Sequence, residues 1–71
     1  MAFYVNDNND ELLEFDLREN AWEYAKENTP AMVFQAPSGY SSVAELMQYH
    51  HWSIALDGTI TYIESERRWT Q

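Results

Sequence analysis

The sequence predicts an α+β domain with elements in the order ββαβαββ, two short helices packed on an antiparallel or mixed sheet. Three observations predict it. Apolar residues alternate with period two from Glu11 to Leu17 and on either side of the Asp57-Gly58 turn. Two Asp/Ser-x-x-Glu patterns open stretches with helical spacing. No apolar run exceeds the five residues Met1-Ala2-Phe3-Tyr4-Val5, which suits short strands and is far below the roughly 20 a membrane span requires.

Phe3-Tyr4-Val5 is the first strand, and Asn6–Asp10 is a turn, because Asn and Asp tolerate left-handed backbone and bond to their own main chain. From Glu11 to Leu17 the chain alternates, with Leu13, Phe15 and Leu17 on one side and Leu12, Glu14 and Asp16 on the other. This closes a hairpin. A single long helix over Asp10–Asn28 is the rival reading; it would leave Leu12 and Phe15 on the polar side. The first helix is expected over Leu17–Glu27, with Asp16 as N-cap, Glu19 completing the capping box, and Leu17, Ala21, Tyr24 and Ala25 buried. Asn28-Thr29-Pro30 ends it, since a residue before proline avoids the α region.

Ala31–Gln35 lacks alternation, so it reads as a central strand covered on both faces. After the loop around Gly39, Ser42 and Glu45 form a second capping box. Val43, Leu46, Met47 and His50 then follow at the spacing of a two-turn helix. A closing hairpin turns at Asp57-Gly58. A type I turn with Gly58 left-handed pairs Trp52 with Tyr62 and Ile54 with Ile60, gathering these four on one face that is expected to be buried.

At 71 residues the chain is expected to form one domain over 1–71. It has no cysteine, so disulfides and thiolate zinc sites are excluded. Eleven aromatic residues supply core instead, each able to bury roughly 150–250 Å². The start of the chain has neither a basic nor an apolar signal region, and a soluble cytoplasmic protein is expected.

Charge is the strongest functional signal. Residues 7–27 hold eight carboxylates against Arg18 and Lys26, a net −6 of the chain's −8. Such a face repels nucleic acid and anionic lipid and attracts basic surfaces within a Debye length, about 10 Å at 0.1 M salt. Glu19, Glu23 and Glu27 recur at i, i+4, i+8, about 6 Å apart along a helix. That spacing approximates phosphates on a nucleic-acid strand. Asp7, Asp10, Glu11 and Glu14 on the neighbouring hairpin are expected to extend the surface. Trp69, beside Arg67 and Arg68, is a further candidate contact, because Trp and Arg are enriched in binding hot spots.

Chemistry finds less support. Reading Asn6 as the first ligand of a calcium loop puts Glu11 where glycine is needed and Leu17 where glutamate is needed. His50 and His51 are adjacent, so their rings diverge and do not chelate one metal; a structural role beside Trp52 is expected. Ser38, Ser41 or Ser42 with His50 and Asp57 contains the residue types of a triad but no nucleophile-elbow pattern. Paired-carboxylate catalysis needs a cleft that so small a domain hardly provides.

The expectation is therefore a non-enzymatic acidic interaction module with no cofactor and no metal. Its partner would be a basic protein surface, foremost a groove of a nucleic-acid-binding protein, occupied by mimicry of nucleic acid. Inhibitors of this kind are found in phages and mobile elements. Direct binding to nucleic acid or membrane is not expected. The alternative is a structural or assembly subunit, homodimeric through an aromatic interface.

Overall fold

The computed structural model describes residues 1–64. β1 (Ala2–Asn6), β2 (Leu12–Phe15), α1 (Arg18–Glu27), β3 (Ala31–Ala36), α2 (Val43–Leu46), β4 (His51–Ile54) and β5 (Ile60–Ile63) follow one another in the ββαβαββ order expected of the α+β class. The five strands form one sheet in the order β2-β1-β3-β4-β5, every neighbouring pair antiparallel. The hairpin reading of residues 2–15 holds. A helix there would have forfeited the Phe3–Phe15 and Val5–Leu13 pairings that place apolar side chains on one face.

β3 is central in the sheet and covered on both faces, as its unbroken apolar run requires. On one face α1 packs Ala21 and Ala25 against Val5, Ala31, Val33 and Ile54, with Phe3, Phe15, Trp22, Tyr24 and Trp52 around them. The two alanines let the helix approach the sheet closely. On the other face, the segment from Tyr40 to Tyr49 covers Ala2, Tyr4, Phe34 and Ala36, and Leu46 of α2 is its buried anchor. Tyr4 is fully buried; its hydroxyl donates to Pro37 O at 2.7 Å and accepts the Tyr40 N–H at 3.2 Å, tying this cover to β1.

Three expectations need correction. α1 begins one residue later than expected. Its N-cap is Leu17, with no side-chain cap, and Leu17 is 53% exposed instead of buried. The extended backbone of Leu17 carries Asp16 outside the helix, beyond the capping position. α2 stops at Leu46, so Met47 and His50 do not continue it. The chain must instead bring the Tyr49 hydroxyl to within 2.8 Å of that of Tyr40 and deliver His51 into β4. The Ser42 cap is present, its Oγ accepting the Glu45 N–H at 3.3 Å.

The third correction concerns the closing hairpin. Its register is as expected, Trp52 opposite Tyr62 and Ile54 opposite Ile60, and Gly58 is left-handed at φ 93°. Gly58 N–H and Ala55 N–H bond to Ala55 O and Thr59 O, which is the bulged type I turn. Yet Ile60 is 47% and Tyr62 50% exposed, because α1 lies over β2, β1 and β3 and stops short of β5. On that face Ile54 of β4 is buried and Trp52 half-buried.

Candidate functional site

The acidic residues divide into an inward one and an outward set. Asp7, expected on the binding surface, is 5% exposed. Its Oδ2 accepts the Tyr24 hydroxyl at 2.6 Å; its Oδ1 accepts the N–H groups of Asn9 and Glu11 at 2.9 and 3.0 Å. Asp7 therefore organises the β1–β2 turn and fastens it to α1. The Tyr24 hydroxyl, followed by the Glu11 N–H, holds the Asp7 carboxyl below the usual carboxylate range. The same bond, reinforced by desolvation, pushes Tyr24 up to about 12. Asp10, in left-handed backbone at φ 63°, completes the turn through its N–H to Asp7 O.

Asp10, Glu11, Glu14, Asp16, Glu19, Glu23 and Glu27 are all exposed. Asn8 bonds through its N–H to Asn28 O and through Nδ2 to Thr29 O, so the turn carrying Asp10 and Glu11 sits at the C-terminal end of α1, where Glu27 stands. Asp16 lies at the opposite end, before Glu19. Glu14 is placed differently: it pairs with Tyr4 and points to the sheet face away from α1. The outward acids thus form a row along α1, with Asp16 beyond one end and Asp10 and Glu11 beyond the other, and Glu14 stands around the β2 edge. Trp69, with Arg67 and Arg68, lies outside the described residues.

Two shallow grooves flank α1. On the β2 side, Phe15, Asn20, Glu23, Tyr24 and Glu27 enclose about 320 Å³, with the Phe15 and Tyr24 rings 5.5 Å apart. Carboxylates above aromatic rings suit a cationic side chain. On the β5 side, Arg18, Glu19, Trp22, Lys26 and Ile60 line about 440 Å³. This second groove was overlooked in the sequence, although Arg18, Trp22 and Lys26 repeat at the same i, i+4, i+8 spacing as the glutamates. Arg18 and Lys26 are the only Lys or Arg side chains within residues 1–64, and both border it.

The residue types that raised the question of catalysis are employed in the fold. Ser42 caps α2, and Asp57 accepts the Thr59 N–H at 3.0 Å in the β4–β5 turn. β4 separates that turn from His50, about 13 Å for four residues of strand. His51 is buried, its ring 4.7 Å from that of Phe34 and its Nδ1 donating to Tyr49 O at 3.2 Å. Among the described residues no three His, Asp or Glu side chains gather as a metal site, and no helix is long and apolar enough to cross a membrane.

No protein-family model, curated protein or solved structure matches this chain.

Proposed function

We propose that this protein is a non-enzymatic interaction module whose α1 face enters a basic groove of a nucleic-acid-binding protein and inhibits or regulates it by taking the place of the phosphate backbone. The observation that carries the reading is the exposed row Glu19, Glu23 and Glu27, with Asp16 beyond one end and Asp10 and Glu11 beyond the other. Successive glutamates rise about 6 Å along the helix. A row of Lys and Arg that normally displaces counterions from nucleic acid gains the same electrostatic return from such a helix. The Phe15–Tyr24 groove beside Glu23 and Glu27 adds a place for one arginine or lysine to lie on aromatic rings.

The test is affinity capture from a lysate of the native host, with mass spectrometry, comparing the native chain with the triple variant Glu19→Lys, Glu23→Lys, Glu27→Lys. Captured proteins should be nucleic-acid-binding, should be released by added duplex DNA, and should be lost with the variant. The variant should keep its circular dichroism, because Ala21, Trp22, Tyr24 and Ala25 are untouched. Capture that survives the triple reversal, or that duplex DNA does not compete, refutes the proposal. The interaction should also weaken steeply with salt.

A further inference from the structure

The two edges of the sheet are built differently. β2 carries Glu14 within it and has Glu11 and Asp16 at its flanks, charges of the kind that keep an edge strand from pairing. β5 reads Ile60-Thr61-Tyr62-Ile63, with no charge and no proline, and all four residues are exposed. Its Ile60, Tyr62 and Ile63 are among the large apolar side chains left in solvent. Among the described residues nothing covers this apolar edge of an otherwise strongly acidic molecule, and such an edge is a place for another strand.

We infer that β5 is a homodimer interface, in which β5 of a second copy pairs antiparallel about a twofold axis at Tyr62, so that Ile60 stands opposite Glu64 of the partner subunit. The ladder fixes which residues can pair. Ala55 N–H bonds to Thr59 O, and hydrogen-bonded pairs alternate along an antiparallel ladder. Thr61 and Ile63 therefore turn their main-chain groups to β4, while Ile60 and Tyr62 turn theirs to the open edge, as Glu64 does once pairing extends the strand by one residue. Only residues of this even-numbered set can exchange hydrogen bonds with the same set in a second copy. Centring the pair on Tyr62 engages all three of them on each strand. Centring it on Thr61 engages only Ile60 and Tyr62.

Charge selects the same register. Ile60, Tyr62 and Glu64 alternate onto the α1 face of the sheet, and the partner's Glu64, opposite Ile60, lies on that face too. Ile60 borders the groove lined by Arg18, Glu19 and Lys26, where two cations outnumber the one carboxylate. Each copy thus offers a carboxylate to the two cations of the other, with Tyr62 against its own counterpart at the axis. Repulsion between the acidic β2 edges of two chains of net −8 is small in this arrangement. β2 is three strands beyond β4 in the sheet, so the two β2 edges stand roughly 40 Å apart, several Debye lengths.

Sedimentation equilibrium of the full chain should show a monomer–dimer equilibrium. Glu64→Lys should raise the dissociation constant by about tenfold or more, and Arg18→Glu with Lys26→Glu should do the same. Combining all three substitutions should restore the dimer. Amide exchange followed by NMR should show Ile60, Tyr62 and Glu64 gaining protection with concentration, while Thr61 and Ile63 are protected at every concentration. A chain that stays monomeric to millimolar concentration overturns the inference. So does a dimer that tolerates Glu64→Lys, or one whose concentration-dependent protection falls elsewhere.

Discussion

The Asp7–Tyr24 bond ties the stability of this protein to pH at both ends of the scale. Asp7 has a folded pKa below its ordinary value of 3.8, so its contribution is fully present above that value and is lost as pH falls through the lowered one. Tyr24 has its pKa raised from 10.0 to about 12, so its contribution is fully present below pH 10 and is lost as pH climbs toward 12. Tyr24→Phe should therefore weaken the fold at neutral pH and flatten its loss of stability above pH 10. Asp7→Asn should flatten the acid limb. Thermal melts across pH, with an ultraviolet titration of the tyrosines, check both. An acid limb unchanged in Asp7→Asn would show that this carboxylate is not what the fold depends on. The burial of Asp7 also shows why a count of acids overstates a surface: one of the eight in residues 7–27 serves the turn.

At the scale of the element, α1 is a helix with a poor beginning. Leu17 holds the N-cap position with no side-chain acceptor, and Arg18 follows where the helix dipole favours negative charge. The helix persists because Ala21 and Ala25 are fully buried against the sheet and because Asn28 closes its other end, its Nδ2 donating to Tyr24 O at 2.8 Å. Leu17 is more than half exposed, so replacing it removes little apolar contact. Leu17→Ser should thus stabilise the protein by about 1 kcal/mol, the usual worth of a cap, seen as a higher denaturant midpoint at unchanged slope. No gain, or a loss, would mean that Leu17 packs on something its exposure conceals.

Over the whole molecule, the cover on the sheet is uneven. One face is roofed by α1 over its β2 half, the other by the Tyr40–Tyr49 segment, and β5 receives neither. Ile54 and Ile60 are cross-strand neighbours with the same side chain, yet Ile54 is 1% exposed and Ile60 47%. Ile54→Ala should cost about 2–5 kcal/mol, enough to threaten a domain whose whole margin is roughly 5 kcal/mol. Ile60→Ala should cost about 1 kcal/mol or less in dilute protein, where only half of its surface leaves water on folding. Chemical denaturation of the two variants measures the difference. Equal costs would place α1 closer to β5 than its packing indicates.

The sequence by itself determined the local features. A short β-prone run marked β1, period-two alternation marked β2, β4 and β5, the Ser42 cap marked the start of α2, and the cleaner apolar face chose the register of the last hairpin, because each depends on residues a few positions apart. The row of exposed glutamates on α1 was legible for the same reason. Three matters were decided only by tertiary structure. Asp7 turned inward because Tyr24, seventeen residues away, presents a hydroxyl to it. α2 was cut to four residues because Tyr49 has to meet Tyr40 and His51 has to enter the sheet. The apolar face of β5 stayed in solvent because a single ten-residue helix, centred over β1 and β3, is too narrow to roof five strands. Alternation shows which side chains share a face; whether that face is covered depends on where a distant helix comes to rest.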